Sequence, residues 1–184
     1  TQEDACNGLA DPARLAVDFP DLDLYHPWDV GPDELREIAY ETETASLDYD
    51  PRIVNSEGAQ ASTQCSMRVY GNSHGFIAGA AATRHNSTCV VIARDEGGMQ
   101  RDYWYTVSRD AADLEAQVAV GEEAARRALA RLGPRSIATG TYPVLFNPQM
   151  AAGLIGHLVG AISGGSLYRR ASYLVDSLGK RVIA

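Results

Sequence analysis

The sequence predicts an α/β protein of the α+β type, in which an antiparallel sheet is flanked by helices. Between Arg52 and Val107, apolar and polar side chains alternate with the two-residue period of strands that have one covered and one wetter face. On either side of that region, apolar residues recur at the spacing of amphipathic helices. Short, turn-rich connections between the strands favour an antiparallel meander.

The first 31 residues predict an irregular connector, because they are rich in Asp and Pro and have few periodic apolar positions. The first helix is predicted to begin at Gly31-Pro32, where Asp33 and Glu34 lie in the first turn and the helix dipole favours acids. Its helical spacing is carried by Leu35, Ile38, Ala39, Thr42 and Ala45.

Turn signals divide the central region into five predicted strands. Clusters of Asn, Asp, Gly and Ser favour turns, and they fall at 55–58, 71–75, 86–87 and 95–98. The predicted strands are 51–55, 59–70, 76–85, 88–94 and 99–107.

A second helix is predicted from about Asp113 or Val118 to Leu132, and Gly133-Pro134 ends it. Its apolar face consists of Ala124, Ala125, Ala128, Leu129 and Leu132. A short strand is predicted at 142–146. For 166–179 the pattern leaves a strand and an irregular segment both open.

A third helix is predicted from Asn147-Pro148, a capping side chain followed by Pro at the first helical position. One face is apolar. The opposite face holds Gly153, Gly156, Gly160 and His157. An interior glycine costs roughly 0.5–1 kcal/mol relative to alanine, so we expect another backbone to approach this glycine face closely.

Composition limits the function classes. The chain has 184 residues, of which 45% are hydrophobic and 22% charged, as in ordinary soluble proteins. No apolar run reaches the roughly 18 residues of a membrane span. Three widely spaced cysteines argue against a disulfide scaffold and favour a reducing compartment. Cys65 and Cys89 lie in predicted strands, where core positions are expected, and neither a hydrolase nucleophile elbow nor a phosphate-binding loop is found.

Charge is distributed unevenly along the chain. Residues 1–123 carry 23 acidic side chains against eight arginines, whereas residues 124–184 carry eight basic side chains against Asp176 alone. The two parts can attract each other within one molecule, or the basic part can face an anionic partner or a peptide carboxylate. A net charge of −8, without a basic stripe interleaved with aromatics, argues against nucleic-acid binding.

Six segments, in this order, carry a resemblance to a known family. They are Asp21–Pro27, Arg52–Gly58, Val69–Gly75, Thr83–His85, Arg101–Tyr105 and Tyr142–Lys180. Together they resemble the PmbA/TldE proteins, partners of TldD in a bacterial peptidase pair once called modulators of DNA gyrase. The resemblance covers essentially the whole chain. Because those proteins are longer on both sides, it implies an internal part of a larger two-domain protein.

The resemblance implies three regions. Residues 1–31 form the connector. Residues 32–135 form the helix, meander and second helix of an N-terminal domain. Residues 136–184 begin, or link to, a C-terminal domain.

The resemblance also implies a role beside a catalytic partner. TldD proteins carry a His-Glu-x-x-x-His zinc motif on the helix that corresponds to 148–162, where two His bind the metal and the Glu serves as base. This chain has one His there, His157, and no Glu after Glu123. We therefore expect no catalytic residue and no metal in this chain, and zinc in a TldD-like catalytic subunit. The implied substrates are unfolded or small peptides in the bacterial cytoplasm.

Two alternatives remain at this stage. The chain could be a regulatory or binding protein of the gyrase-modulator type, or a peptidase whose metal ligands lie outside it. The candidate partner or peptide contacts are His157, Gly153, Gly156, Gly160, Arg84 and His85. Each also has an ordinary structural interpretation, as a packed helix residue or a solvated residue near a turn. Tyr103, Trp104 and Tyr105 fit cross-strand packing or, alternatively, an aromatic surface for peptides.

Overall fold

The computed structural model describes residues 7–182, which fall into two compact units divided between residues 135 and 136. The helices and strands of the first unit are α1 (Pro32–Leu47), β1 (Ile53–Gly71), β2 (Ile77–Asp95), β3 (Gly98–Ser108) and α2 (Gln117–Ala130). Single 3₁₀ turns lie at Pro12–Arg14 and Ala111–Asp113. The second unit contains α3 (Pro148–Ile162) and α4 (Gly164–Tyr168).

The three strands form one antiparallel sheet in the order β1-β2-β3, which confirms the predicted meander. The number of strands was wrong, since three long strands replace the five predicted. The polar cluster at 55–58 is not a turn but a β-bulge, in which the register shifts and Gly58 adopts a φ of 115°. At 86–87 the strand continues because the Asn86 side chain accepts a hydrogen bond from Ser62 across the ladder, at 2.7 Å.

Both helices of the first unit cover the same face of this sheet, so the expectation of one covered and one wetter face is confirmed. The odd-numbered residues of β2 from Thr83 to Ala93 are buried beneath the helices and the connector. The buried apolar cluster consists of Ile53, Cys89, Val91, Ala93, Ala124, Ala125 and Ala128. The three alanines belong to the apolar face that the sequence predicts for α2.

The two helices cross closely at Gly121. A β-carbon at this position would collide with the carbonyl oxygen of Thr42 and would lie 3.0 Å from the backbone nitrogen of Ser46. Thr42 and Ser46 are themselves fully buried, and each hydroxyl donates back to a carbonyl of its own helix, at 2.8 and 2.6 Å. The glycine that permits backbone contact therefore lies on α2, at a position the sequence analysis did not single out.

Gly121→Ala should destabilise the first unit by about 1–3 kcal/mol, because the added methyl group meets backbone atoms that cannot rotate away. Urea unfolding followed by circular dichroism measures the change. The matched control is Gly156→Ala in α3, where the β-carbon would have no neighbour within 4 Å among residues 7–182. That variant should be neutral or more stable. Equal stability of the Gly121 variant and the parent would contradict the close crossing.

The thiols of Cys65 and Cys89 differ in exposure. Cys65 is exposed, whereas Cys89 is fully buried and its thiol lies 3.5 Å from the hydroxyl of Ser46. Burial raises the pKa of the Cys89 thiol, which reduces the reactive thiolate further.

In a Cys6→Ser background, a thiol reagent should therefore modify one cysteine, Cys65, in the folded protein and both in urea. Peptide mass mapping identifies the modified residue. Rapid modification of Cys89 without denaturant would show that the packing of α1 on β2 is not as described.

The strand predicted at 142–146 is wrong, because residues 136–147 contain no helix or strand. Leu145 is 98% exposed, and the described part of the second unit has no strand with which this segment could pair. The third helix is confirmed: Pro148 occupies its first position, and the Asn147 side chain accepts a hydrogen bond from the Gln149 nitrogen at 2.9 Å. Beyond it, the stretch 166–179 is not a strand but the end of α4 followed by turns.

No helix among the described residues is long and apolar enough to cross a membrane.

Candidate functional site

His85 lies within β2 rather than at a strand end, and it is fully buried. Its Nε2 lies 2.9 Å from the carbonyl oxygen of His26, and its Nδ1 lies 2.8 Å from the hydroxyl of Thr63. Because a carbonyl can only accept, Nε2 carries a proton, and in the neutral ring Nδ1 accepts from Thr63. The edge-on ring of Trp28, with centroids 5.5 Å apart, packs against the imidazole. His85 thus fastens the connector to the sheet.

Thr83 fastens the same connector two residues earlier on the same face of β2. Its backbone nitrogen donates to the carbonyl of Leu24 at 2.9 Å, and its hydroxyl accepts from the nitrogen of His26 at 2.9 Å. That hydroxyl also donates to the carbonyl of Arg109 at 2.7 Å. Two of the segments that carry the family resemblance, 21–27 and 83–85, are therefore in direct contact.

His85→Phe should free the connector while keeping a planar aromatic ring at this position. The substitution leaves the His26 carbonyl and the Thr63 hydroxyl without their partner, which costs about 1–3 kcal/mol. Hydrogen exchange should show faster exchange at 24–28 than in the parent, together with a lower urea midpoint.

The control is Arg84→Ala, since Arg84 is the exposed neighbour of His85 and its loss should change stability by less than about 0.5 kcal/mol. Unchanged exchange at 24–28 in His85→Phe would mean that the buried ring does not hold the connector.

Arg84 points to the opposite, helix-free face of the sheet, where it lines a groove of about 430 Å³. Arg68 of β1 and Arg109 after β3 line the same groove, over a floor of small side chains that includes Ser66, Ala80 and Ala82. We call this the arginine groove. Among residues 7–182, none of these three arginines has a carboxylate within 4.0 Å.

Most other arginines of the first unit are paired with carboxylates. The Nε and Nη2 atoms of Arg52 donate hydrogen bonds to the two carboxylate oxygens of Asp50, at 2.9 and 2.8 Å. These hydrogen bonds lower the pKa of the Asp50 carboxyl to about 2. Arg126 likewise lowers the pKa of Glu123 by hydrogen bonding to it. Against that background, three arginines that share one groove without a carboxylate form a distinct cluster.

The aromatic segment 103–105 divides between the two faces of the sheet. Tyr103 and Tyr105 are both on the open face, about 40% exposed, and their rings stack with centroids 6.3 Å apart. Trp104 turns inward, beneath the guanidinium of Arg127 at 5.1 Å from the ring centroid. Trp104 is thus a packing residue, whereas Tyr103 and Tyr105 form an aromatic surface.

Asp102, also inward-facing, connects the acidic and basic parts of the chain. Arg127 and Arg131 of the second helix region approach its two oxygens, at 3.5 and 3.4 Å. Asp102 is only 8% exposed. At Asp102, the acidic part of the chain (1–123) and the basic part (124–184) therefore attract each other within one molecule, as the charge distribution allowed.

The glycine face of α3 is open in the described structure. A β-carbon built on Gly153, Gly156 or Gly160 has no neighbour within 4 Å among residues 7–182. The expectation that another backbone approaches this face is therefore not met within the described chain. His157 is exposed on the same helix. Arg84 and His85 belong to the first unit, whereas His157 and the three glycines belong to the second.

Helix α3 has no second metal-ligating side chain one turn away from His157. The residues one turn away from His157 are Gly153, Leu154, Gly160 and Ala161. None of them offers a side-chain nitrogen, oxygen or sulfur. Within residues 7–182, no group of three or more His, Cys, Asp or Glu side chains is arranged to hold a metal.

Two family models account for most of the chain. The model described as the PmbA/TldA metallopeptidase central domain matches residues 25–132, which include the whole sheet and both helices that cover it. The C-terminal domain model of the same family matches residues 139–184. The chain belongs to the PmbA/TldD metallopeptidase family.

Curated PmbA/TldD relatives are similar over the full length of this chain. It is 49% identical to the metalloprotease PmbA of Escherichia coli O157:H7 over 183 residues, and 43% identical to the metalloprotease PmbA homologue of Haemophilus influenzae. Each alignment covers 100% of this chain but 41% of the relative. The chain therefore spans about two fifths of the length of these relatives.

Solved structures of the family have the same fold. A candidate modulator of DNA gyrase from Bacteroides thetaiotaomicron superimposes with a TM-score of 0.90 at 26% identity, over 100% of this chain and 43% of that one. A similarly described protein from Thermotoga maritima has a TM-score of 0.83 at 21% identity, over 91% of this chain and 39% of that one. The second comparison shows the fold alone.

Proposed function

We propose that this chain belongs to a non-catalytic, TldE-type subunit of a bacterial two-subunit metallopeptidase. In this proposal, a TldD-like partner binds zinc and cleaves small or unfolded peptides in the cytoplasm. One observation carries the proposal: α3, where the family resemblance expects the zinc motif, has His157 without a following Glu or a second His.

The metal chemistry of a TldD-type helix does not fit α3. A catalytic zinc needs about three protein ligands and an open position for water. His157 has only apolar or glycine neighbours one turn away, and no Glu follows Glu123 that could act as a base for the water. We therefore assign α3 a structural role and place the zinc of the complex in the partner.

The exposed surface of α3 supports a role in subunit contact. Ile155 and Val159 are 63% and 57% exposed, and Met150 and Leu154 are exposed beside them. Contiguous apolar surface of this kind marks interaction sites in soluble proteins. The three open glycines on the other side of the helix would allow a partner backbone to approach closely. We infer that the TldD-like subunit covers this helix.

The first unit supports the handling of peptides. Its helix-free sheet face combines the stacked Tyr103 and Tyr105 with the arginine groove. Aromatic rings and guanidinium groups are enriched where proteins bind peptides, because both bury apolar area while keeping polar ends.

The proposal predicts where the zinc lies in the assembled protein. The full-length protein that contains this chain is purified alone, the TldD-like subunit is purified alone, and the two are mixed. Metal analysis after dialysis should find near-unit zinc in the partner and in the complex only. Cleavage of an unstructured peptide should require both subunits. Near-unit zinc in the protein purified alone would instead place metal ligands in its own chain and overturn the proposal.

Enlarging the glycine face should separate the subunits without unfolding either one. Gly156→Leu adds a side chain to a position with no neighbour within 4 Å among residues 7–182. If the partner alone covers this face, thermal unfolding of the full-length protein should stay within about 0.5 kcal/mol of the parent. Pull-down of the TldD-like subunit and peptide cleavage should both fall sharply.

The matched control is Ala10→Leu, which adds the same side chain at an exposed position outside α3. It should retain the partner better than Gly156→Leu does. Unchanged pull-down with Gly156→Leu would show that the glycine face is not the contact surface, even if the zinc experiment succeeds.

A further inference from the structure

We propose that the arginine groove binds carboxylate groups of an extended acidic peptide segment, which makes it a substrate-positioning site. This inference rests on the proposed function in one respect, namely that the molecule handles peptides. The ligand class follows from the groove itself.

No carboxylate among residues 7–182 neutralises the positive charge of the groove. Asp23 and Asp110 are next in sequence to the lining residues Leu24 and Arg109, but both carboxylates turn to His26, at 3.2 and 3.6 Å from its ring nitrogens. Arg68 and Arg84 have no carboxylate within 4.0 Å among the described residues. In a chain of net charge −8, three such guanidinium groups create a local field that favours an anion.

One member of the cluster is fixed in position. Although Arg109 is exposed, two hydrogen bonds hold it: its carbonyl accepts from the Thr83 hydroxyl at 2.7 Å, and its Nη1 donates to the Thr83 carbonyl at 3.2 Å. Within residues 7–182, the remaining donors of that guanidinium face no carboxylate, so they can bind a ligand. A side chain held in this way loses little conformational entropy on binding, and it pairs with a carboxylate in a planar, two-bond geometry.

The spacing of the other two arginines selects an extended ligand. Arg68 is opposite Ala80, and Arg84 is opposite Gln64, so the two arginines are four residues apart along the strand direction. That separation is roughly 13 Å at about 3.3 Å per residue. An extended peptide presents side chains i and i+4 on one side at the same distance. The floor of Ser66, Ala80 and Ala82 between them has no bulky side chain that would block such a segment.

The test uses the full chain and blocked, fluorescein-labelled ten-residue peptides. One alternates Glu and Thr; its neutral counterpart has Gln in place of every Glu. A third is the neutral peptide with a free C-terminal carboxylate. Fluorescence anisotropy should show that the Glu peptide binds at least about tenfold more tightly than the neutral one, and that binding weakens as salt is raised. Tighter binding of the third peptide than of the Glu peptide would assign the groove to chain ends and overturn the acidic-segment proposal.

Arg84→Gln should weaken binding of the Glu peptide by about tenfold, the effect expected for losing one charge-assisted contact. Arg68→Gln together with Arg84→Gln should abolish the preference over the neutral peptide. The matched control is Arg94→Gln. Arg94 is exposed on the same face of β2 as Arg84 but lies outside the groove, so this variant should bind the Glu peptide as tightly as the parent does. Equal losses in the Arg84 and Arg94 variants would reduce the effect to net charge and overturn the proposal.

A labelled ten-nucleotide poly-dT strand provides the remaining comparison. Binding of this strand more tightly than the Glu peptide would overturn the assignment to peptides. These measurements need neither the partner nor zinc, so their failure leaves the subunit proposal standing, and failure of the zinc experiment leaves the groove proposal standing.

Discussion

The first unit depends on a single constraint: the central strand β2 pairs with β1 on one edge and, from His85 to Asp95, with β3 on the other, and it uses its two faces for different purposes. The inward side chains of β2 pack against α1 and α2 toward its C-terminal end, and they hydrogen-bond to the connector at Thr83 and His85. Thr83 and His85 hold the connector through hydrogen bonds to Leu24 and His26, and they are buried because the connector covers them. A residue one position away, Arg84, necessarily points to the open side. A shift of the register by one residue would exchange these roles and expose the buried imidazole.

The same alternation explains why neighbouring residues in the family-like segments serve unrelated purposes. In 101–105, Asp102 and Trp104 tie the second helix to the sheet through Arg127, whereas Tyr103 and Tyr105 remain on the outer surface. In 83–85, Thr83 and His85 hydrogen-bond to the connector, whereas Arg84 contributes its charge to the arginine groove. Each of these motifs therefore contains residues with different roles. The effect of substituting one residue does not predict the effect of substituting its neighbour.

The sequence was sufficient for the meander, for the three long helices and for the covered face of the sheet, because these follow from local periodicity. The sequence was insufficient where the structure depends on pairing between segments that are far apart in the chain. The polar segments 55–58 and 86–87 favour turns locally. In the sheet, the first forms a β-bulge against β2, and Asn86 of the second hydrogen-bonds to Ser62 of β1. The segment 142–146 is apolar and extended but has no strand to pair with in the described unit. The close helix crossing depends on Gly121, which differs from the glycines of α3 only in what another helix places beside it.

The candidate site was only partly predictable for the same reason. Arg84 was singled out, and its approach to Arg68 follows from the register of the β1–β2 hairpin once its turn is fixed at 72–76. Arg109 joins them only because the chain leaves β3 and returns to Thr83, which no local pattern reveals. For α3, the sequence indicates that glycines need a neighbour but cannot say whether that neighbour is in the same chain.

The central claim is that this chain contributes a peptide-handling surface and a docking helix but not the metal. An X-ray structure of the full-length protein bound to the proposed TldD-like subunit, with anomalous scattering recorded at the zinc absorption edge, tests it most directly. The account predicts one zinc peak per pair, located in the partner, and a partner backbone packed against Gly153, Gly156 and Gly160. A zinc peak at His157, or a glycine face exposed to solvent in the complex, would contradict it.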